Sequence, residues 1–338
     1  MINYVYQLIK PRTITVKYKN LATDSDRVII RPEYMSICHA DQRYYKGERD
    51  AAVLRKKLPM AMIHEAMGRV VCDPTGNFKV GEKVIMIPNV PGTPVGNVYP
   101  NYLRDSKFCS SGYDGFMREL VDLPADRVVS CEGVEPTVAA IAEFISVVFH
   151  AAARFERARQ TDVNSIGVWG DGGLGYLVAL VLKYLYPNAQ LNVIGLDETK
   201  LSRFTFADKT YNSTSLPEDF HVDHAFECCG GAGCYYAGNQ IIDVINPQGA
   251  VVLMGVSEKE VPLNTRMVLE RGLTLVGSSR SDRVDFEKVV EFLRSPDMAA
   301  RVSRIVTEVT EVKSIDDIHD AFSLDQTNPF KTVIKWSI

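Results

Sequence analysis

The opening segment, MINYVYQLIKPRTITVKYK, has no uninterrupted apolar run, because lysines and an arginine follow its hydrophobic residues. That excludes a signal-peptide core or a membrane-spanning helix there and predicts a cytoplasmic protein. A large excess of charge of either sign is lacking. A formal net charge of -4 gives no general attraction to nucleic acid or to anionic membrane, so neither is expected as a partner. Paired cysteines are also lacking: the seven, an odd number, are scattered at positions 38, 72, 109, 131, 228, 229 and 234 without the spacing of a disulfide framework. All are expected to be reduced. No internal repeat or low-complexity tract is visible.

What is present describes a soluble globular protein. The 338 residues, 46% hydrophobic and 24% charged, are too many for one ordinary core and suit two domains. Before about residue 150, short β-rich runs such as RVIIRPEYMSI, AMGRVVCD and KVIMIPNV alternate with turn clusters such as DPTGN and PGTPVGN, which predicts an all-β unit of barrel or sandwich type. After it the rhythm lengthens. SIGVWG, QLNVIG, HAFECCG, GAVVLMG and LTLVGSS read as strands, and LGYLVALVLKYLY as a helix. Such alternation predicts a doubly wound parallel sheet. From about Ser279 a helix-like DFEKVVEFLR and a β-like FKTVIKWSI close the chain.

The stretch GVWGDGGLGYLVALVL places Gly170, Gly172 and Gly175 directly after a strand and before a helix, which is the context a dinucleotide fingerprint needs. The first glycine allows a tight turn, the second lets backbone approach a pyrophosphate, and the third lets helix and strand pack closely. With Gly173 they form the expected phosphate cradle at a helix N-terminus. An NAD site wants an acid about 20 residues on, to hold the ribose hydroxyls. That position falls at Gly195, and the nearest acid, Asp197, lies in the following loop. Gly195 leaves room for a phosphate and Lys200 and Arg203 follow closely, so NADP(H) is expected, with Asp197 as the alternative register.

The loop MSICHADQRYY sets Cys38 beside His39, with Asp41 and Arg43 after them. Cysteine is commonly a small buried hydrophobe, and a core thiol is the plain reading of this segment alone. Further along, MAMIHEAMGRVV carries His64 and Glu65, and AAIAEFISVVFHAA carries Glu143. Thiolate, imidazole and carboxylate together suit zinc, although ligands so scattered also read as a satisfied histidine and a structural carboxylate.

The order Cys38-x-x-Asp41, His64-Glu65 ahead of Gly68, Glu143, and the glycines of 170–175 resembles the zinc-dependent medium-chain dehydrogenase/reductase family over nearly the whole chain. The resemblance implies a GroES-like catalytic domain, residues 1–149 and 279–338, and a Rossmann domain, residues 150–278, with the active site in the cleft that separates them. It places Cys38, His64 and the Glu65/Glu143 pair at the metal-ligand positions, Asp41 as the acceptor that orients His64, and His39 and Lys331 at the cofactor pyrophosphate.

Three departures narrow the resemblance. Many relatives bind a second, structural zinc through four cysteines; here the matching lobe has only Cys109, so one catalytic zinc and no structural zinc are expected. Ala40 stands where relatives carry a hydroxyl that relays the alcohol proton. Arg43 stands where several have the histidine that ends that relay, and an arginine fork suits a phosphate. With NYLRDSKFCSSGYDGFMREL, FECCGG and FADKTYN, these features resemble the bacterial ribulose-5-phosphate reductases that make ribitol 5-phosphate for CDP-ribitol, used in teichoic acids and capsules. That implies a homodimeric enzyme taking a sugar phosphate, with a ribitol-5-phosphate cytidylyltransferase as functional partner. Arg43 and Lys46 are the candidates for the substrate phosphate, and Arg43 reads equally as a surface or salt-bridging side chain. The rivals are an NAD-dependent polyol dehydrogenase, which needs Asp197 at the ribose, and a non-enzymatic nucleotide sensor, which needs a broken ligand set.

Overall fold

The computed structural model describes residues 1–23 and 26–338, which divide into two compact units. One comprises residues 1–146 and 280–338, the other residues 147–279.

The first unit is built on a seven-stranded sheet among the described residues, with Arg27–Ser36 and Glu65–Cys72 at its centre. The β-rich runs of the first half supply these strands and Lys83–Met86, which lies between Glu65–Cys72 and Val128–Ser130. The C-terminal strand Lys331–Trp336 inserts beside Arg27–Ser36, antiparallel, with Val333 opposite Ser36. This pairing brings the last turn of sequence to the strand that leads into Cys38. It buries Ile334 and Trp336 in one apolar cluster with Met35, Ile37, Tyr45, Ile63 and Phe322. The first segment, read by sequence only as an unsuitable membrane span, forms the hairpin Ile2–Lys10 and Thr13–Asn20.

The second unit is a six-stranded, wholly parallel sheet. Its strands in chain order are Ser165–Trp169, Gln190–Gly195, Lys209–Asn212, His224–Glu227, Ala250–Leu253 and Thr274–Gly277. They lie in the order third, second, first, fourth, fifth, sixth. That is the doubly wound dinucleotide-binding arrangement, whose ligand crevice opens at the carboxyl ends of the strands beside the first. Lys209–Asn212 is the one strand with no apolar run to betray it, having only Tyr211 to pack on the core. No described helix is long and apolar enough to cross a membrane.

Candidate active site

Cys38 lies two residues beyond the strand Arg27–Ser36 and caps the helix His39–Lys46, which Gly47 stops in a left-handed conformation, φ 79°. The helix is fastened from behind. Gln42 Nε2 donates to the Phe322 carbonyl and to Asp325, both at 2.8 Å, and the Tyr45 hydroxyl lies 2.7 Å from His319 Nδ1. Cys38 is therefore held by the C-terminal helix Ile315–Thr327 as well as by the strand before it. His64 and Glu65 enter from the start of strand Glu65–Cys72, with Ser36 opposite Glu65 in register.

Ligand atoms of Cys38, His64 and Glu65 all lie within 4.8 Å of one another, and among the described residues this is the only His/Cys/Asp/Glu group of three or more so placed. A soft thiolate, an imidazole and a carboxylate are the donors zinc takes. The unsatisfied atoms agree. Glu65 is fully buried; Lys331 Nζ donates to its Oε1 at 2.7 Å, while its Oε2 is buried without a hydrogen-bond partner. A buried carboxylate oxygen left in that state is costly unless a cation meets it. The residues present thus fit a zinc ion.

Asp41 supports this set from beneath. Completely buried, it accepts from Ile63 N at 3.0 Å and Ser110 Oγ at 2.6 Å through Oδ1, and from Cys38 N at 3.2 Å through Oδ2. The same Oδ2 stands 3.5 Å from His64 Nδ1, a long ion-pair contact that leaves Nε2 for a metal. Burial opposes ionisation of Asp41, but the facing His64 and the hydrogen bonds from Ser110 and Ile63 outweigh it and hold the carboxyl below its ordinary range. Both of its Oδ1 donors belong to residues in left-handed backbone, Ile63 at φ 67° and Ser110 at φ 59°. A β-branched residue there is strained, and such strain persists only where the surroundings over-determine it. Ile63 is held on its other side as well, its carbonyl accepting from Phe116 N at 2.7 Å.

Glu143 is nearly as buried, in the first turn of helix Ala142–Ala158. Burial first, and the charge of Glu65 second, push its carboxyl up to about 7 against the opposing pull of His64 and Lys331. It lies outside the three-ligand cluster. Lys331, expected at a pyrophosphate, has its buried ammonium engaged by Glu65 and by the Ile37 carbonyl at 3.1 Å, over the ring of Phe144. His39, Arg43 and Lys46 share one face of their helix by spacing. His39 is exposed, and Lys46 is paired with Glu48 at 2.6 Å.

In the second unit Gly172 caps helix Gly173–Leu185, so free N–H groups at that end face outward in the way an anion requires. A Cβ at Gly172 would meet nothing within 4 Å, whereas one at Gly175 would lie 1.8 Å from the Gly170 carbonyl oxygen. Gly172 leaves space for a ligand; Gly175 lets helix and strand close. Gly195 ends the second strand, but the space beside it is taken by Asp171: a Cβ would fall 2.6 Å from that of Asp171. Asp171 Oδ2 accepts from Leu196 N and Asp197 N, both at 2.8 Å. Asp197 itself caps the short helix Glu198–Leu201, accepting from Thr199 N and Lys200 N. Its carboxylate is committed to that turn, and Lys200 and Arg203 are half-buried beyond it.

Sequence reasoning did not find Ser110, Asp171 or the pairing of Lys331 with Glu65. Nor did it find Phe108, whose ring packs 5.3 Å from that of His64. Asp171 sits inside the glycine motif and Phe108 and Ser110 inside a stretch that carries the family resemblance, but only their neighbours in space give these side chains a role.

Residues 24–133 match the alcohol dehydrogenase GroES-like domain family. Over its full length the chain is 50% identical to a ribulose-5-phosphate reductase of Streptococcus pneumoniae, spanning 98% of that protein, and 46% identical to one of Bacillus spizizenii, spanning 100% of it. The crystal structure of Staphylococcus aureus TarJ in complex with NADPH is 43% identical and superposes with a TM-score of 0.89, each chain covered completely. Relatives this similar over their whole length, together with the Cys38–His64–Glu65 cluster and a doubly wound sheet, place the chain in the ribulose-5-phosphate reductase branch of the zinc-dependent medium-chain dehydrogenase/reductase family.

Proposed function

We propose that the protein reduces D-ribulose 5-phosphate to D-ribitol 5-phosphate with NADPH, in the cytoplasm, as a homodimer whose product passes to a cytidylyltransferase making CDP-ribitol. The observation that carries this reading is the Cys38–His64–Glu65 set in a chain half identical, end to end, to a ribulose-5-phosphate reductase. Zinc at that set would supply Lewis-acid polarisation of the ketone, and NADPH the hydride.

The chain's own residues do the rest. Asp41 fixes the ring and tautomer of His64, and Lys331 holds one oxygen of Glu65 so that the other points to the metal position. Glu143 is the second carboxylate of the site, and the resemblance gives it the alternative ligand role. Gly170, Gly172, Gly173 and Gly175 cradle the cofactor pyrophosphate at their helix N-terminus, and the resemblance gives His39 a cofactor contact as well; Lys200 and Arg203 serve the cofactor's third phosphate. Because Ala40 has no hydroxyl, the proton that completes the alcohol does not pass through residue 40. Asp197, spent on its helix cap, favours no NAD-dependent alternative.

The test is NADPH oxidation by the purified, zinc-loaded protein with ribulose 5-phosphate, ribulose and fructose. Turnover selective for the phosphorylated ketose is expected. Equal rates with ribulose, or a preference for NADH, would replace this reading with the polyol dehydrogenase.

A further inference from the structure

We propose that Arg280 anchors the substrate's phosphate group and so sets specificity for a phosphorylated ketose, an inference that rests on the reading above. Arg280 belongs to the same unit as the ligand set. Its guanidinium carbon sits 5.0 Å from the centroid of the Phe108 ring, and that ring lies 5.3 Å from the ring of His64. Cation, aromatic ring and candidate zinc ligand are thus layered in succession. The two separations laid end to end place the guanidinium within about 10 Å of the imidazole.

The substrate's dimensions suit that span. In ribulose 5-phosphate five bonds separate the C2 carbonyl carbon from phosphorus, roughly 6 Å when extended at ordinary bond lengths of about 1.5 Å. The carbonyl bond and a zinc–oxygen contact would add about 3 Å were zinc bound at the ligand set. A ketose whose carbonyl lay beside the Cys38–His64–Glu65 set would therefore carry its phosphate within reach of Arg280. A shorter or unphosphorylated sugar leaves the cation unused.

Charge accounting selects the same residue. Lys331 is paired with Glu65 and Lys46 with Glu48, while Lys107 lies exposed over the ring of Tyr113. The Arg280 side chain, half-buried, rests on Phe108 with no carboxylate against it among the described residues. Stacking on an aromatic face fixes the guanidinium plane while leaving its N–H edge open, and that edge matches a phosphate with two parallel hydrogen bonds. The backbone carries a second mark. Arg280 has φ 56°, and three of the five described non-glycine residues in left-handed conformation, Ile63, Ser110 and Arg280, surround this one site. Strain held in place at a functional constellation is what a pre-positioned side chain requires.

The test compares Arg280→Gln, Arg280→Lys and Arg43→Gln in the zinc-loaded enzyme with saturating NADPH. For Arg280→Gln, kcat/KM with ribulose 5-phosphate is expected to fall at least tenfold, while the slow rate with unphosphorylated ribulose changes less than about twofold. Inorganic phosphate should inhibit the unaltered enzyme competitively against ribulose 5-phosphate and lose that effect in Arg280→Gln, and Arg280→Lys should recover part of both. Equal losses on the two substrates, weakened NADPH binding, or a selective loss found in Arg43→Gln and not in Arg280→Gln would each overturn the proposal. A starting enzyme that does not discriminate between the two ketoses would instead overturn the functional reading, a result visible before any variant is made.

Discussion

Asp41 offers the sharpest test of how this site is held together. Asp41→Asn keeps the shape and one acceptor oxygen, which still serves Ile63 N and Ser110 Oγ. It replaces Oδ2 with an amide nitrogen that faces the Cys38 N–H and His64 Nδ1, so a charge-assisted hydrogen bond is lost and the imidazole loses its counter-charge. Hydrogen bonds to charged groups contribute about 1.5–3 kcal/mol, and loss of a metal ligand's supporting carboxylate weakens metal binding about 10- to 100-fold, so the two scales agree. The expected outcome is zinc affinity lowered by that factor in competition with a chromophoric chelator, with NADPH binding retained. Asp41→Ala goes further, stranding the Ile63 N–H and the Ser110 hydroxyl in the interior at about 1–3 kcal/mol each. Relaxation of the two left-handed residues would offset part of that cost, so the zinc-free protein should lose about 2–5 kcal/mol in urea unfolding. Asp41→Asn binding zinc within twofold of the unaltered chain would refute the view that Asp41 holds the ligand set in place.

Cys38→Ser should reduce bound zinc from one equivalent per chain to near none by elemental analysis while NADPH still binds, because the dinucleotide glycines lie in the other unit; simultaneous loss of both would indicate unfolding. Gly172→Ala should melt at the same temperature as the parent yet bind NADPH at least tenfold more weakly, since its methyl enters open space, whereas Gly175→Ala should lower the melting temperature itself through its clash with the Gly170 carbonyl. Asp114 accepts from Gln7 Nε2 at 2.7 Å and Ala61 N at 2.9 Å and pairs with Lys19. Burial raises its pKa, but these hydrogen bonds more than compensate and hold it below 3.8. A depressed folded-state carboxyl contributes stability above its unfolded value and loses it as pH falls through the folded one. Asp114→Ala should therefore cost about 1–3 kcal/mol at pH 7 and less near pH 3, by urea titration at each pH; an equal cost at both would contradict the assignment.

The parts of this protein legible in its sequence are those governed by near neighbours along the chain. Alternating strands and helices, the glycines between Ser165–Trp169 and Gly173–Leu185, and the short runs of the first half declare a doubly wound sheet and a β-rich unit, because periodicity and turn chemistry act over a few residues. The strand Lys209–Asn212 escaped that reading because it carries too little apolar surface to show a period. Within the site, resemblance picked out Cys38, His64, Glu65 and Asp41, and these four stand together. It did not reveal that Asp171 fills the space beside Gly195, or that Lys331 is bound to Glu65.

By itself, then, the sequence determined the local elements and the chemical types available: one thiol-imidazole-carboxylate set and one phosphate cradle. Which of those groups meet was decided by pairings across hundreds of residues. The strand Lys331–Trp336 returning to Arg27–Ser36 carries a buried ammonium to Glu65, and the chain after residue 279 returns to the first unit to set Arg280 on Phe108. A buried charge tolerates only a specific partner, and a left-handed residue persists only where its neighbours hold it, so these choices emerge from the closed tertiary structure and leave no local trace.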